Sequence, residues 1–381
     1  MDGNLQAYFA TSTAELGPEA TVAGVAFVKA NRSAAAAPAA SSAPPELADL
    51  AERLKKLFAK IDKNKDGILS HAEVQQAMKD PTIKGKDAAA LNVLVRYGDQ
   101  IQWLSHDESD RPYDQKGVSL KDLERLGRRD MTEHQRISKG HNADFMTKAA
   151  RLYNHFQKQI EGQSSQLFEG MPDPSSVKQG QVGNCFFLAA VVALASRNPG
   201  AIKNMIKENP DGSYTVTFPG KPPVKVPALT DAEKAVASQS NGLWVTVLEK
   251  AYAKLTNQGG PNPMEPGYMG SVDTGLDPFS KNGRAEGIFL SGAKPGDIRL
   301  KLIQAFKEGR LVEAGCVQPK MKGLVAGHAY TVLSFDERSD KLTLRNPWGN
   351  TEPGSDGKDD GVFVITFPDF MANFFSLGIS A

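Results

Sequence analysis

The chain has 381 residues, and its 45 basic and 44 acidic side chains leave a formal net charge of +1 at pH 7. This balance gives no reason to expect nucleic acid or an anionic membrane as the main partner, and it is uninformative about the substrate. With only two cysteines, Cys185 and Cys316, a disulfide-built secreted scaffold is excluded as well, and both are expected to be thiols. We expect a cytoplasmic protein of two or three domains, without a recognisable signal peptide or a membrane-spanning run, although export by another route stays open.

Residues 1–45 are predicted to form a tail and a linker. The tail carries weak alternation around "TVAGVAFVKA", and residues 33–45 read "SAAAAPAASSAPP", a low-complexity Ala/Pro/Ser stretch with nothing to pack. Such a stretch is exposed, which makes it a candidate site of self-cleavage.

Residues 46–130 are predicted to form a small all-helical domain. Its first helix is indicated by apolar residues spaced by three and four, which place one stripe on an amphipathic helix. These residues are Leu47, Leu50, Leu54, Leu57, Phe58 and Ile61. Further helices are predicted in "DAAALNVLVRYGDQIQWL" and "SLKDLERL", and "HNADFMTKAARLYNHFQKQIEG" predicts a connecting helical segment within residues 131–165.

The segment "DKNKDGILSHAE", residues 62–73, has the ligand pattern of an EF-hand calcium loop. A hard cation needs six to eight oxygen ligands, and Gly67 at the sixth position permits the sharp bend. The predicted ligands are Asp62, Asn64, Asp66, the backbone carbonyl of Ile68, Ser70 and Glu73. The alternative is an acidic helix-turn-helix without a metal, in which Ser70 and Glu73 form a capping box.

A partner loop is expected because EF-hands usually occur in pairs. Aligning residues 118–122 with residues 69–73 places Arg111 at the first ligand position and Lys116 at the glycine position. The second loop is therefore degenerate and is predicted to pair structurally, unless acidic residues in "HDESDRPYDQKG" rebuild a site through an insertion.

The segment "QGQVGNCFFLAA", residues 179–190, places Cys185 where a helix is predicted to begin. Backbone N–H groups and the helix dipole stabilise a thiolate there, so the pKa of Cys185 is expected to be lowered. Further along, "GHAYTVLSFD" supplies His328 and "LRNPWGN" supplies Asn346, the order used by papain-like proteases. Cys185 would then attack, His328 would act as base, Asn346 would hold the imidazole tautomer, and the Gln179 amide with the Cys185 N–H would bind the oxyanion. Taken singly, Cys185 also fits a buried core residue and His328 a structural one.

Together these segments resemble the calpain family of cysteine proteases. The similarity runs through "QGQVGNCFFLAA", "LWVTVLEKAYAKL", "GHAYTV", "LRNPWG" and "DGVFVITFPDFMANF", in order, over residues 166–381. The resemblance implies an α+β class and a papain-like core of two subdomains, about 166–290 with Cys185 and about 291–381 with His328 and Asn346. It also implies that Trp348 shields the histidine–asparagine hydrogen bond from water.

The chain departs from the family pattern at several positions. Asn184 and Phe186 replace the Asp and Trp that flank the family's cysteine. Family cores bind two calcium ions. At two positions where the first site has carboxylate ligands, this chain has Ser176 and Gly242, so that site is expected to be lost, although Asp173 lies nearby. For the second core site, Glu352 and Asp360 match acidic ligands, while Val362 replaces a third.

A single strong EF-hand ahead of the core resembles compact bacterial-type calpain-like proteins. The function expected is a calcium-dependent or calcium-binding cysteine endopeptidase that cleaves proteins or peptides through a thioester, with Ca²⁺ as the cofactor. Two alternatives stay open: a catalytically silent calcium-binding interaction protein, and a transglutaminase-like acyl transferase. The sequence leaves the oligomeric state undetermined.

Overall fold

The structure, a computed structural model, describes residues 45–105, 117–130, 144–256, 270–354 and 356–381. The predicted tail, almost all of the predicted linker, and the degenerate loop at Arg111 and Lys116 lie outside the described residues. The described chain divides into two compact units. The helical unit holds the residues up to Gln163 together with Leu229–Val236, and the mixed unit holds Ser164–Ala228 and Ala237–Ala381.

Helices occur in both units. In chain order they are α1 (Pro45–Ile61), α2 (His71–Ala77), α3 (Gly85–Ile101), α4 (Leu120–Arg128), α5 (Asp144–Gly162), α6 (Cys185–Arg197), α7 (Pro199–Met205), α8 (Asp231–Val236), α9 (Trp244–Thr256), α10 (Val272–Leu276), α11 (Pro295–Lys307) and α12 (Phe367–Asn373). Helices are therefore confirmed in each described segment where apolar spacing predicts one.

Strands are short in the helical unit and longer in the mixed unit. They are β1 (Ile68–Leu69), β2 (Val118–Ser119), β3 (Ile206–Glu208), β4 (Tyr214–Val216), β5 (Val224–Val226), β6 (Glu286–Phe289), β7 (Val312–Cys316), β8 (His328–Asp336), β9 (Lys341–Arg345), β10 (Val362–Thr366) and β11 (Ser376–Ile379). Apolar and polar residues alternate in "RLVEAGCV", "HAYTVLSFD", "KLTLRNPW" and "GVFVITFP", which predicts four strands, and the structure has them as β7 to β10.

The core of the helical unit forms around α1, whose apolar stripe is buried as its spacing predicts. Helix α5, expected from the sequence to be a connector, packs into this same core through Met146 and Phe156. Its Tyr153 hydroxyl donates a 2.6 Å hydrogen bond to Asp49 on α1. Helix α8 adds Ala232 and Ala235 to the core, although the chain on both sides of it belongs to the mixed unit.

Strands β1 and β2 pair in an antiparallel ladder that aligns Leu69 with Val118. Gly117 precedes β2, and a Cβ there would lie 2.5 Å from the Leu69 carbonyl oxygen, so glycine permits this close approach. The helices that follow both strands begin with capping boxes, Ser70 with Glu73 and Ser119 with Asp122. Residues 69–73 and 118–122 are thus equivalent in local structure.

The mixed unit is built on a six-stranded antiparallel sheet in the order β10-β9-β8-β7-β11-β6. One face of this sheet packs under α11 and α12 in an apolar core that includes Tyr330. Helix α6 contacts β8 on the other face, where the Thr331 hydroxyl donates a 2.8 Å hydrogen bond to the carbonyl of Ala189. Strands β3, β4 and β5 form a separate antiparallel meander. The sheet therefore places the first residue of β8 beside the start of α6.

Among the described residues, no single helix has both the length and the apolar character needed to cross a membrane. Helices α6 and α7 would pass such a test only as a pair, and they are bent by 114° relative to each other. The residues of α6 are largely buried within the mixed unit.

Candidate active site

Cys185 is the first residue of α6 and is partly exposed. Its thiol forms hydrogen bonds with the backbone of Ala329, the residue that follows His328, and with the backbone of Phe186. The apolar run behind it is buried, so the helix is held in the unit while its first residue reaches the surface. The structure thus brings Cys185 and the start of β8 together, as the sequence predicts.

The pKa of the Cys185 thiol is raised by burial from the ordinary 9.0 to about 11, despite the opposing hydrogen bonds from Ala329 and Phe186. The expectation of a lowered pKa is therefore wrong for this state. Loss of solvation outweighs what the backbone N–H groups at the helix start contribute. Cys185 is thus a neutral thiol at pH 7.

Phe186 directly follows Cys185 and is 1% exposed. Gly270 and Gly275 pack against it so closely that a Cβ would lie 2.6 Å from its ring at Gly270 and 2.3 Å from its carbonyl oxygen at Gly275. Its ring also meets the Tyr252 ring edge-on at 6.1 Å. Glycine at positions 270 and 275 therefore leaves room for Phe186, a residue that departs from the family pattern.

His328 begins β8, is buried, and lies 2.8 Å from Asn346 between Nε2 and Oδ1. The orientation of the asparagine amide follows from its other partners. The Trp348 N–H donates to Oδ1 over 3.0 Å, and Nδ2 donates to the Thr351 carbonyl over 2.9 Å. Because Oδ1 can only accept, Nε2 of His328 must carry the proton, which leaves Nδ1 as a lone-pair acceptor.

The imidazole of His328 is enclosed by aromatic rings. The Trp348 ring lies at a centroid distance of 4.8 Å and the Tyr330 ring at 5.0 Å. Burial lowers the pKa of His328 to about 4, and the hydrogen bond with Asn346 only partly opposes this. His328 is therefore neutral at pH 7 and available to take up a proton.

Gln179 is held on the same side of the unit by a backbone hydrogen bond from its N–H to the Pro347 carbonyl over 2.9 Å. Its side-chain Nε2 donates a 2.8 Å hydrogen bond to the Val182 carbonyl. Its Oε1 is buried and has no hydrogen-bond partner. The amide predicted to bind an oxyanion is thus engaged with the loop in front of Cys185.

Sequence reasoning missed a buried polar cluster beside the start of α6, formed by Asn184, Ser238 and Glu249. Nδ2 of Asn184 donates a 2.8 Å hydrogen bond to Oε1 of Glu249. The same oxygen accepts a 2.6 Å hydrogen bond from the Ser238 hydroxyl. The signal available was the segment "LWVTVLEKAYAKL", whose single buried carboxylate, Glu249, lies on the face of α9 directed into the core. It also missed Glu313, a fully buried carboxyl whose pKa is raised well above its usual value by burial.

The predicted EF-hand loop, residues 62–73, offers donors of the right type for a hard cation. Asp62 accepts a hydrogen bond from the Gly67 N–H at 3.1 Å through one oxygen, while its other oxygen, Oδ1, is buried without a partner. Gly67 has φ of +83°, the bend the loop requires. Oxygens of Glu73 accept from the backbone N–H groups of Lys63 and Ser70 at 2.9 and 3.0 Å, and such hydrogen bonds lower its pKa against the effect of burial.

The other predicted ligands of this loop hold its turns. Asn64 Oδ1 accepts from the Asp66 N–H and Asp66 Oδ1 accepts from the Ile68 N–H, at 3.0 and 2.9 Å. The Ser70 hydroxyl donates a 2.7 Å hydrogen bond to Glu73 within the capping box. The loop therefore offers donors of the type that calcium prefers and one buried Asp62 oxygen without a hydrogen-bond partner, although its carboxylates are not grouped closely enough in this structure to hold a metal ion.

Glu352 and Asp360 lie within electrostatic reach of each other. Burial raises the pKa of Glu352, and the nearby carboxylates of Asp360, Asp356 and Asp359 raise it further. Neither Glu352 oxygen has a hydrogen-bond partner of good geometry, although the Gly361 backbone is close enough to oppose the shift. Within the described residues, no three His, Cys, Asp or Glu side chains are grouped closely enough to hold a metal ion.

Direct hydrogen bonds join the segments of Ser176 and Gly242, where the resemblance implies a lost calcium site. The Ser176 hydroxyl donates to Asn241 Oδ1 over 3.0 Å and accepts from the Asn241 N–H over 3.1 Å. Asp173 caps the short helical turn Pro174–Ser176, because its side chain accepts a 2.9 Å hydrogen bond from the Ser175 N–H. These bonds join the two segments in which ligand carboxylates are absent.

Comparison with known proteins identifies the family once this geometry is considered. Residues 155–356, more than half of the chain, match the calpain family of cysteine proteases. This chain belongs to the calpain family. The calpain-type cysteine protease DEK1 of Arabidopsis thaliana is 30% identical over 267 residues, covering 55% of this chain and 12% of that protein. Calpain-9 of Mus musculus is 28% identical over 251 residues, covering 52% of this chain and 35% of that protein.

The chain therefore matches between an eighth and about a third of the length of these calpains. The family match begins inside α5 and ends in the acidic loop after Asn346. Cys185, His328 and Asn346 all lie within it.

Proposed function

We propose that this protein is a calcium-binding cysteine endopeptidase in which Cys185, His328 and Asn346 form the catalytic triad. The observation that carries the proposal is the His328–Asn346 hydrogen bond, whose direction leaves Nδ1 of His328 as the acceptor. An imidazole held in this tautomer beside a cysteine at a helix start is the arrangement needed to activate a thiol. Family membership supports protein or peptide substrates.

The reaction starts from a neutral thiol and a neutral imidazole, because burial raises the pKa of Cys185 and lowers that of His328. As the sulfur of Cys185 attacks the peptide carbonyl carbon, Nδ1 of His328 takes the thiol proton. The imidazolium then returns that proton to the leaving amine as the C–N bond breaks, which gives a thioester. A water molecule, deprotonated by the same nitrogen, attacks the thioester and releases the carboxylic acid and the thiol.

Asn346 and Trp348 support the histidine rather than react. Asn346 Oδ1 keeps the Nε2 proton in place and stabilises the imidazolium that forms during attack. The Trp348 ring covers the imidazole at a centroid distance of 4.8 Å, and the Trp348 backbone N–H donates to the same Asn346 oxygen, so water is kept from competing for that hydrogen bond.

The oxyanion would be bound by the Cys185 N–H and by the Gln179 amide. The Gln179 amide nitrogen has two N–H donors, and the Val182 carbonyl accepts from one of them, so the second can donate to the substrate oxygen. The gain is largest when charge develops on that oxygen.

The calcium half of the proposal rests on the loop of residues 62–73. Asp62, Asn64, Asp66 and Glu73 would supply side-chain oxygens, Ile68 a backbone oxygen, and Ser70 would support the ninth position. Glu352 and Asp360 are proposed as ligands of a second cation, since both lie in a carboxylate cluster whose mutual repulsion a cation would relieve.

The catalytic half is tested with Cys185→Ala and its matched control Cys316→Ala in full-length protein. We expect the first variant to lose cleavage of a casein-type substrate and the second to retain it. Cleavage by the Cys185 variant would refute the assignment of the nucleophile. Amine incorporation without peptide cleavage by the wild type would instead support an acyl transferase, and inactivity of the wild type towards both would support a silent interaction protein.

The calcium half is tested by calorimetric titration of Ca²⁺ into wild type, Glu73→Gln and the control Glu52→Gln, an exposed acid on α1 outside the loop. Loss of one carboxylate ligand should weaken binding by about tenfold or more in the Glu73 variant only. Equal isotherms for all three proteins would contradict the assignment of the loop.

A further inference from the structure

We infer that Ser238 and Glu249 are positioning residues for Cys185, and that α8 transmits the state of the helical unit to them. The inference rests on the proposed function, because it concerns control of the proposed nucleophile. It follows from three sets of contacts: those between the cluster and the residue before Cys185, those between the cluster and the Gln179 segment, and those that hold α8 in the helical unit.

The first set joins Glu249 to the start of α6. Glu249 is 1% exposed, and its Oε1 accepts hydrogen bonds from Asn184 Nδ2 at 2.8 Å and from the Ser238 hydroxyl at 2.6 Å. Its Oε2 accepts from the Ser238 N–H at 2.9 Å. Asn184 is the residue before Cys185 and makes no side-chain cap to α6, so its amide is committed to Glu249. The first turn of the nucleophile's helix is therefore tied to this carboxylate.

The second set joins Ser238 to the loop that carries Gln179. The Ser238 hydroxyl accepts a hydrogen bond from the Gly180 N–H over 3.1 Å. The neighbouring residue, Gln239, forms a two-way backbone bridge with Lys178, at 2.9 and 3.0 Å. A displacement of Ser238 would therefore act on both sides of Cys185, through Asn184 and through the oxyanion segment.

The third set holds α8 within the helical unit. The Thr230 hydroxyl donates a 2.7 Å hydrogen bond to the carbonyl of Met78, which is the C-cap of α2. Asp231 accepts from the Gly85 N–H over 2.9 Å. The Ala232 carbonyl accepts from Asn92 over 2.9 Å. Helix α2 leaves the loop of residues 62–73, so the helix that would move with Glu73 also carries the carbonyl that holds Thr230.

Covalent connection completes the route. Helix α8 ends at Val236, and only Ala237 separates it from Ser238. Two residues span at most about 7 Å and allow little slack, so a shift of α8 is passed on to Ser238 rather than absorbed. Within the cluster each hydrogen bond is buried, and breaking one leaves an unpaired polar group, which favours two discrete arrangements over gradual change.

The test is a double-variant cycle in full-length protein that combines Thr230→Val with Ser238→Ala. The readouts are the iodoacetamide labelling rate of Cys185, resolved from Cys316 by peptide mass spectrometry, and kcat for a casein-type substrate. Each single variant should raise labelling by about threefold or more, because a loosened first turn exposes the thiol, while kcat falls. Because a loss of folded protein would also raise labelling and lower kcat, these changes identify positioning when the thermal midpoint of the variant equals that of the wild type.

If Thr230 acts through Ser238, the double variant will label at the rate of the Ser238 variant alone. Thr256→Val removes a hydroxyl that, among the described residues, donates to the Tyr252 carbonyl of its own helix; this variant is the control and should match the wild type. Glu249→Gln keeps the shape of the side chain and should repeat the Ser238 result, which guards against a folding defect in one variant. Multiplicative effects of the two changes, or an unchanged rate in Thr230→Val, would overturn the inference.

A calcium arm separates the failure of this inference from the failure of the proposed function. Millimolar Ca²⁺ should change Cys185 labelling in the wild type and leave it unchanged in Thr230→Val, while both proteins give the same calorimetric isotherm. Equal responses in both proteins, or none in a wild type that binds Ca²⁺, would refute transmission through α8. Absence of Ca²⁺ binding would refute only the calcium half of the proposed function, and the cycle would still decide the positioning roles.

Discussion

Alkylation of Cys185 in the resting protein should rise about tenfold for each pH unit between pH 7 and pH 10. Burial raises the pKa of this thiol from 9.0 to about 11. Only the thiolate reacts with iodoacetamide, so at pH 8 the reactive fraction is about 0.1%, against about 10% for an unshifted thiol. The structure therefore predicts labelling about 100-fold slower than that of the same cysteine in denatured protein.

The assay is a pH series of labelling rates, with Cys185 and Cys316 separated by peptide mass spectrometry. Cys316 is an internal reference, because it is 1% exposed and burial raises its pKa to about 12. A Cys185 rate that is constant between about pH 5 and pH 8 would show a thiolate–imidazolium pair in the resting protein. That result would refute the reasoning, because a thiolate–imidazolium pair requires the pKa of Cys185 to lie below that of His328.

The same two values set an energetic requirement on catalysis. Moving a proton from a thiol of pKa about 11 to an imidazole of pKa about 4 costs about 10 kcal/mol in the resting arrangement. A turnover of 10 per second allows a total barrier of about 16 kcal/mol. Proton transfer would thus use more than half of that barrier, so substrate binding or a change around Cys185 must bring the two pKa values together.

Two further predictions follow from the histidine. Asn346→Ala should lower kcat by on the order of 10²–10⁴-fold with little change in KM, measured by peptide cleavage, because the Nε2 proton loses its acceptor; an unchanged kcat would contradict this role. The pKa of His328 is about 4, below the ordinary 6.5, so its neutral form stabilises the fold above pH 6.5 and this contribution is lost as the pH falls towards 4. Urea unfolding at pH 7.5 and pH 4.5 should show a loss about 2–3 kcal/mol larger in the wild type than in His328→Gln, and parallel losses would argue against burial as the cause.

Much of the fold was predictable because local patterns decide it. The three- and four-residue spacing of Leu47 to Ile61 predicts α1, and the alternation after Lys307 predicts the strands that carry His328 and Arg345. The late His and Asn in "GHAYTV" and "LRNPWG" also lie together, with a 2.8 Å hydrogen bond between His328 and Asn346, since His328 begins one strand and Asn346 directly follows another.

Features that depend on distant packing were not predictable. The segment "DAEKAV" of α8 has the composition of an ordinary surface helix, and nothing in it indicates that it packs on α3 and α5 of the helical unit. The Asn184–Glu249 hydrogen bond joins residues 65 apart in sequence. The raised pKa of Cys185 depends on how much water the whole unit excludes, and a helix start alone indicates the opposite shift.

The placement of α8 has a consequence for how the chain is synthesised and dissected. The helical unit lacks one of its elements until residue 236 has left the ribosome, so its folding overlaps with that of the segment carrying Cys185. A fragment starting at residue 164 would keep α8 but lose the partners that cover Ala232 and Ala235. Its α8 would then expose apolar surface. A fragment ending at residue 163 would lack the helix altogether. Either truncation should be less soluble than the full chain, and a loss of activity in the fragment that starts at residue 164 would report an α8 without its packing partners before it reported a missing regulator.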